Sequence, residues 1–131
     1  MMDLTVGVLA YMHEEVLHEL LHSIVDQQTD YAFETLVGVD ACSDKTLEVA
    51  RNFQKHFPNQ IRLIEHTVNV GGNANYLDLI NRASGRFLII HDGDDVMLPG
   101  KLQKMCRFLE DNPECELVTH PMVRATNDLL S

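Results

Sequence analysis

Basic residues are scarce in this chain, and their scarcity excludes several classes of partner. The 131 residues include 10 Lys and Arg against 20 Asp and Glu, so the formal net charge is −10. Proteins that bind nucleic acid need clustered basic side chains to contact the phosphates, and the sequence contains no such cluster. Anionic lipid surfaces attract basic segments for the same reason. We therefore expect no nucleic acid partner and no docking on acidic lipid by charge alone.

Cysteines and long apolar runs are also few. The three cysteines, Cys42, Cys106 and Cys115, are an odd number without close spacing, so they indicate neither a disulfide framework nor a paired-cysteine metal site. No apolar run approaches the roughly 20 residues that span a bilayer, and segment 1–4 lacks the basic flank of a signal peptide. We expect a cytoplasmic protein, at most peripheral to the inner face of the membrane.

Apolar residues are abundant enough for one packed domain. The composition is 45% hydrophobic and 23% charged, which is typical of globular proteins and excludes a disordered chain. A typical domain has roughly 100–150 residues. We therefore expect residues 1–131 to form a single domain.

Short apolar runs rich in β-branched residues alternate with segments of helical periodicity. The runs predicted as strands are 4–10, 33–39, 61–65, 87–90 and 116–119. The segments predicted as helices are 13–26, 45–57, 74–83 and 101–110. This alternation predicts an α/β fold with a mostly parallel sheet and helices on both faces. Such sheets bind ligands at the carboxyl ends of their strands, so we expect the site in the loops there.

Three carboxylates follow the fourth predicted strand, in the segment Asp92-Gly93-Asp94-Asp95. Negative charges this close repel one another unless a cation neutralises them, and Mg²⁺ and Mn²⁺ are held by one or two carboxylates with substrate phosphates. Gly93 is expected to let the backbone turn sharply, so that Asp92 and Asp94 both face the strand end. An ordinary polar turn is the alternative. The apolar strand before the loop and the polar loops beside it favour a metal site.

Two further polar loops follow the second and third predicted strands. Asp40 is the expected ligand contact after the second strand, because a carboxylate accepts hydrogen bonds from nucleobase N–H groups or ribose hydroxyls. Asp44 stands directly before a predicted helix, so we assign it mainly a structural, helix-capping role. Gly71 and Gly72 follow the third strand and could let backbone N–H groups approach a phosphate, although an ordinary glycine turn explains them equally well.

One motif points to a different chemistry. Residues His18-Glu19-Leu20-Leu21-His22 match H-E-x-x-H, in which two histidines on a helix bind zinc in proteases. Helical periodicity, however, centres the apolar face near Leu20 and Ile24 and turns both histidines towards solvent. A third ligand is missing from the motif as well. We therefore predict no protease site, and at most a solvated histidine pair that binds stray zinc.

Several of these segments, taken in order, resemble the family 2 glycosyltransferases of the GT-A fold, and the resemblance covers nearly the whole chain. Residues 8–15 are similar to the family's strand and T-Y-N-x-E, 22–28 to S-I-L-x-Q, 33–46 to F-E-I-I-V-x-D-x-S-x-D-x-T, 69–71 to N-x-G, and 85–95 to G-x-Y-I-x-x-x-D-x-D-D. Five motifs in order and at suitable spacing are far more specific than any one of them.

The resemblance implies a Rossmann-like fold that binds a nucleotide-diphosphate sugar, such as a UDP- or GDP-sugar. The family's donor-binding positions correspond to Ala10, Tyr11, Asp40, Gly72 and Asp92. Asp94, together with Asp92, would hold the Mn²⁺ or Mg²⁺ ion that bridges the diphosphate. Such a cation stabilises the negative charge that develops on the leaving nucleoside diphosphate. The implied acceptor is a glycan or a lipid-linked molecule in cell-surface polysaccharide synthesis.

The chain also departs from the family pattern. Met12 replaces the usual Asn, and Tyr76 and Leu77 stand where an arginine often contacts the diphosphate. The resemblance further implies that the chain stops shortly after the fifth strand, so that the acceptor-binding half and the carboxylate base of inverting members lie beyond Ser131. We therefore expect the donor-binding part only, with no catalytic base in this chain.

Two other functions remain open from the sequence. A catalytically incomplete binding or interaction module could expose an apolar sheet edge and pair as a homodimer. A receiver-like signalling domain would have a similar length and bind Mg²⁺ through carboxylates. Receivers carry their acidic pair after the first strand and a phosphorylated Asp after the third, whereas residues 11–13 and 65–67 here read Tyr-Met-His and Glu-His-Thr.

Overall fold

The structure is a computed structural model that describes residues 2–116 of the chain. Strands and helices follow one another in the predicted order: β1 (Leu4–Ala10), α1 (Leu17–Val25), β2 (Phe33–Val39), α2 (Thr46–His56), β3 (Ile61–Glu65), α3 (Gly72–Arg82), β4 (Phe87–Asp92) and α4 (Lys101–Asp111). The bounds predicted for the first three strands are confirmed. The predicted fifth strand, 116–119, lies outside the described residues except for residue 116.

All four strands are parallel and form one sheet in the order β3-β2-β1-β4. The chain adds strands on one side of β1 and then crosses to the other side for β4, so the order reverses between β1 and β4. Parallel sheets open a crevice at such a switch point, beyond the carboxyl ends of the strands. In a receiver-like, flavodoxin-type sheet, β1 would lie between β2 and β3. The observed order therefore argues against the receiver-like alternative.

Helices cover both faces of the sheet, as predicted. On one face, alternate residues of β1 pack with α1, α2 and α4 in the main core, which includes Val6, Val8, Leu20, Ile24, Ala50, Phe53, Leu102 and Cys106. On the other face, Leu79 of α3 packs with Leu36 and Ile64. Successive side chains along a strand point to opposite faces of the sheet, so the same strand contributes to the packing on both faces.

The apolar face of α1 lies where the periodicity predicts it. Leu17, Leu20 and Ile24 are fully buried, whereas His18 and His22 are exposed. The rings of His22 and Phe53 are nearly perpendicular, with their centroids 5.0 Å apart. The expectation that the H-E-x-x-H histidines face away from the core is confirmed.

All four helices and one strand differ from their predicted bounds, α2 and α4 by a single residue at an end. Strand β4 runs two residues further, because His91 and Asp92 pair with Val8 and Leu9 of β1. Helix α3 begins at Gly72, two residues early, and α1 begins at Leu17, four residues late. Hydrogen bonds from other loops, described below, hold the segment before α1 in a non-helical conformation.

The segment directly before β4 is packed against the backbone of β1. The Gly85 N–H donates to the Thr5 hydroxyl at 2.9 Å, and that hydroxyl donates to Glu34 at 2.6 Å. A Cβ atom at Gly85 would lie 2.3 Å from the backbone nitrogen of Thr5. This glycine therefore permits the close approach of the two strands.

The structure also describes the cysteines and the lengths of the helices. The three cysteines all lie within residues 2–116 and form no disulfide. Over the same residues no helix is sufficiently long and apolar to cross a bilayer.

Candidate functional site

A cleft of about 450 Å³ opens at the carboxyl end of the sheet, over the switch point between β1 and β4. Its walls come from the ends of β1, β2 and β4 and from the N-terminus of α3. The lining includes all the residues predicted for the site: Ala10, Tyr11, Asp40, Gly72, Asp92 and Asp94. The topology thus brings together residues that are up to 84 positions apart, as between Ala10 and Asp94.

The acidic loop, residues 92–95, begins at the last residue of β4 and presents three carboxylates to a common point. One carboxylate oxygen each from Asp92, Asp94 and Asp95 lies within 4.8 Å of the other two. Two oxygens that ligate one hard divalent cation lie at most about 4–5 Å apart, because each sits about 2.0–2.6 Å from the ion. The donor set is all oxygen and negatively charged, so these residues fit such an ion. Asp95 joins the two predicted ligands in this cluster.

Gly93 is required in the acidic loop for a reason other than the predicted one. The sharp turn expected after Asp92 is present, since the Asp95 N–H donates to the Asp92 carbonyl at 3.1 Å. The φ of Gly93 does not lie in the left-handed region, however, so this turn does not require glycine. A Cβ at Gly93 would instead lie 2.4 Å from Nδ1 of His13. The Gly93 N–H also donates to the Leu9 carbonyl at 2.9 Å. Close packing between the β1 and β4 loops therefore explains this glycine.

Asp40 is buried, at 3% exposure, and holds the loop before α3. One of its carboxylate oxygens accepts hydrogen bonds from the N–H groups of Ala41 and Val70, and the other accepts from Gly71 at 2.9 Å. A carboxylate can accept about four hydrogen bonds, so one position is left for a ligand. Asp40 thus orders the cleft wall, and its contact with a base or ribose stays a prediction.

The N-terminus of α3 forms another part of the cleft wall. Gly71 precedes the helix with φ 87°, a left-handed conformation that favours glycine, and it has no side chain to cap the first turn. A Cβ at Gly72 would meet nothing within 4 Å, so space is open in front of the helix. Uncapped backbone N–H groups and the helix dipole favour an anion at such a position. The arrangement favours the phosphate interpretation over an ordinary turn.

Asn75 lines the cleft and was not predicted from the sequence. Its side-chain amide donates to the Gly38 carbonyl at 2.9 Å, which ties α3 to β2. Its side-chain oxygen is buried and has no hydrogen-bond partner. The sequence offered one indication of this position. Asn75 lies four residues before Leu79, and helical spacing puts both on the side of α3 that faces the sheet.

The loops after β1 and β2 are bonded to each other. The His13 N–H donates to the Thr46 hydroxyl at 2.8 Å, and the Glu14 N–H donates to Asp44 at 3.2 Å. In return, the Lys45 N–H donates to the Glu14 carboxylate at 3.1 Å. These bonds fix the segment that carries Tyr11 at the rim of the cleft.

Asp44 is structural, as predicted, but it stands one residue before the N-cap of α2, which is Lys45. Besides the Glu14 N–H, it accepts hydrogen bonds from the Thr46 hydroxyl at 2.6 Å, the Thr46 N–H at 3.0 Å and the Cys42 thiol at 3.1 Å. Desolvation by itself raises the pKa of the Asp44 carboxyl, but these hydrogen bonds outweigh it and lower the pKa to about 2.

Replacing Asp44 with alanine is expected to lower the free energy of unfolding at pH 7 by about 1–2 kcal/mol, the usual effect of losing a carboxylate that accepts hydrogen bonds at the start of a helix. Because the pKa falls from 3.8 to about 2 on folding, the ionised carboxyl stabilises the protein above pH 3.8. That stabilisation is lost as the pH falls towards 2. Urea unfolding at several pH values should show the two proteins converging in acid. A constant difference down to pH 2 would contradict this assignment.

Met12 lies next to the site in a strained conformation. Its φ is 57°, in the left-handed region that non-glycine residues rarely adopt. Asn tolerates this region better, and it is also the residue that the family pattern shows here. We expect Met12→Asn to raise the free energy of unfolding by about 0.5–1 kcal/mol, measured by urea denaturation. Met12→Ala, which keeps the Cβ penalty, should give no such gain, and equal behaviour of the two variants would refute the explanation.

A family model described as Glycosyl transferase family 2 matches residues 5–129, which is nearly the whole chain. This chain belongs to glycosyl transferase family 2. The predicted family is therefore confirmed.

This family 2 chain is similar in sequence to named glycosyltransferases and in structure to solved ones. A poly(ribitol-phosphate) beta-glucosyltransferase of Bacillus spizizenii is 30% identical over 115 residues, which cover 85% of this chain and 18% of that protein. TarS 1–349 of S. aureus in complex with UDP superimposes with a TM-score of 0.70 at 25% identity, over 86% of this chain and 33% of that one.

A mannosyltransferase from Pyrobaculum calidifontis, solved with GDP-Man and Mn²⁺, has a TM-score of 0.75 at 24% identity, over 84% of this chain and 33% of that one. These neighbours confirm the predicted GT-A fold. The chain spans about a third of the length of the first curated relatives that it matches.

Proposed function

We propose that this chain binds a nucleotide-diphosphate sugar with Mn²⁺ or Mg²⁺ and is the donor-binding part of a glycosyltransferase. The observation that carries the proposal is that the carboxylates of Asp92 and Asp94 and the uncapped N-terminus of α3 line one cleft. A cation and an anion site that face the same space suit a metal-bound diphosphate. The complexes of the two solved neighbours, one with UDP and one with GDP-Man and Mn²⁺, support this ligand class.

Each part of the cleft would then have a separate task. Ala10, Tyr11 and the remaining acceptor position of Asp40 would bind the base and ribose, and Gly72 would let the diphosphate approach the helix. Asp92 and Asp94 would hold the divalent cation. When bound, such an ion neutralises the charge that develops on the departing nucleoside diphosphate. The orderly hydrogen bonding of Asp40 preorganises this cleft before the donor arrives.

Transfer of the sugar needs an acceptor and, in inverting members, a general base. We assign no such base among residues 2–116, and we propose that it and the acceptor-binding half belong to sequence beyond Ser131. The acceptor would be a glycan or a lipid-linked molecule in cell-surface polysaccharide synthesis. The greater length of the relatives supports this division of the enzyme.

Calorimetry with UDP and GDP, with and without Mn²⁺, tests the proposal. We expect at least one of these nucleotides to bind about tenfold or more tightly when Mn²⁺ is present, because Asp92 and Asp94 would hold an ion that neutralises the charge of the diphosphate. EDTA should remove the enhancement, and UMP or GMP, which lack the second phosphate, should show little of it. If neither nucleotide binds in a metal-dependent way, the proposal is wrong.

Self-association is a second candidate property. Strand β4 is an outer strand of the described sheet, and its Leu88 is 38% exposed. An apolar outer strand can pair with the same strand of a second copy. Light scattering on the purified chain should then give a dimeric mass, whereas a monomeric mass at tens of micromolar would contradict pairing.

A further inference from the structure

Beside the acidic loop, three polar side chains form a hydrogen-bonded row that links α4 to β4. The ammonium group of Lys101 lies 2.8 Å from Nε2 of His91. The other ring nitrogen, Nδ1, lies 3.3 Å from a carboxylate oxygen of Asp95. His91 is buried, at 8% exposure, directly before the first carboxylate of the loop.

The chemistry of the lysine determines where the histidine carries its proton. An ammonium group has three donors and no acceptor, so Nε2 of His91 must accept the hydrogen bond from Lys101. A neutral imidazole that accepts at Nε2 carries its proton on Nδ1. That N–H points to Asp95 and donates to it. The row therefore runs in one direction, from Lys101 through His91 to Asp95.

Asp95 needs such a partner if it is to stay in the carboxylate cluster. Its side chain is 46% exposed, so burial alone does not hold it in one rotamer. The carboxylates of Asp92 and Asp94 lie close by and repel it. A hydrogen bond from His91 opposes this repulsion and restrains the oxygen to which it is bonded.

We propose that His91 is a positioning residue that orients Asp95 for binding of the divalent cation, with Lys101 fixing its tautomer. This inference rests on the proposed metal-dependent function. Residues that hydrogen-bond metal ligands typically change metal affinity about 10–100-fold when they are removed. This role explains why a polar side chain, that of His91, is buried directly after the apolar run 87–90 of β4.

The first test is the Mn²⁺ affinity of the full-length chain, measured by calorimetry with Mn²⁺ alone. We expect His91→Leu, which fills a similar volume, to weaken Mn²⁺ binding about 10–100-fold. Affinity for UDP or GDP in EDTA should stay unchanged, which separates loss of positioning from general damage. His91→Asn, whose amide can replace the Nδ1 donor, should recover much of the affinity. Unchanged Mn²⁺ affinity in His91→Leu overturns the inference.

His66→Leu is the matched control, because His66 is also a largely buried histidine beside an aspartate, with its side chain 16% exposed and its Nε2 3.6 Å from Asp78. It lies outside the acidic loop, so Mn²⁺ affinity should not change. If the unaltered protein itself shows no metal-dependent nucleotide binding, the proposed function fails. If it binds Mn²⁺ and nucleotide normally while His91→Leu does so equally well, only the role of His91 fails.

A second test needs no variant that could misfold. Proton–nitrogen correlation spectra of the histidine rings at neutral pH should show the proton of His91 on Nδ1. Addition of Mg²⁺, a diamagnetic ion, should shift the ring signals of His91, while those of His66 stay in place. A proton on Nε2, or signals of His91 that do not respond to Mg²⁺, would contradict the proposed row.

Discussion

Replacing Asp94 with asparagine is expected to abolish the effect of Mn²⁺ on nucleotide binding. The substitution keeps the size of the side chain but removes its charge, and Asp94 is one of three carboxylates that converge within 4.8 Å. Even residues that only support metal ligands change affinity about 10–100-fold, so loss of a charged ligand should cost at least about 100-fold. Calorimetry with Mn²⁺ alone, and then with nucleotide, measures both losses.

Thermal unfolding gives an independent view of the Asp94→Asn variant. Mn²⁺ at about 100 times its dissociation constant stabilises a folded protein by about 2.7 kcal/mol, and the variant should lose this stabilisation at the same Mn²⁺ concentration. In EDTA the variant should instead be slightly more stable than the unaltered protein, by about 0.5 kcal/mol, because repulsion within the cluster is relieved. These opposite signs cannot both arise from a general structural defect.

Asp111→Asn provides the control for the change in charge. Asp111 is an exposed residue at the end of α4, away from the cleft. Its substitution should leave the Mn²⁺ response intact. If Asp94→Asn behaves like Asp111→Asn in both experiments, the acidic loop does not hold the metal and the proposed function loses its main support.

Replacing Gly85 with alanine is expected to lower the free energy of unfolding by about 3 kcal/mol or more. The added Cβ would lie 2.3 Å from the nitrogen of Thr5 and 2.5 Å from the carbonyl carbon of Leu4. Both are backbone atoms of β1, which is hydrogen-bonded to β2 on one side and β4 on the other. Since β1 cannot move without breaking one of these pairings, β4 would have to separate from it. Urea denaturation measures the loss.

Gly72→Ala is the matched substitution for Gly85→Ala. A Cβ at Gly72 meets nothing within 4 Å, and the residue lies in the first turn of α3 without a left-handed φ. Alanine there should be neutral or raise the free energy of unfolding by about 0.4–1 kcal/mol, because it restricts the unfolded chain. Similar losses in the two variants would show that crowding against β1 is not the cause.

Sequence periodicity predicted those strand bounds and helix faces that depend only on residues close together in the chain. Strands β1, β2 and β3 begin and end where their apolar runs do, and the buried face of α1 follows from the spacing of Leu17, Leu20 and Ile24. The positions of Asp40, Asp92 and Asp94 at one edge of the sheet could also be predicted, since polar side chains at strand ends were the signal, whereas Ala10, Tyr11 and Gly72 were implied by the family resemblance. Residue type and position along the chain were sufficient for these conclusions.

Other features depend on contacts between distant segments, which a local pattern does not contain. Strand β4 extends to Asp92 because β1 offers hydrogen-bonding partners there. Gly93 is needed because His13, 80 residues earlier in the chain, packs against it. Asp40 is tied to the backbone 30 and 31 positions away, which no motif indicates.

The sequence by itself determined the α/β class, the order of the elements and the acidic character of the loop after β4. These features depend only on residue type and on the spacing of apolar and charged residues along the chain. Only the tertiary structure decided that this loop, Asp40 and the start of α3 border one cleft, and that Lys101 and His91 lie in a row with Asp95. The physical reason is that the reversal of strand order at β1, together with the side-chain packing that follows from it, sets which distant residues meet.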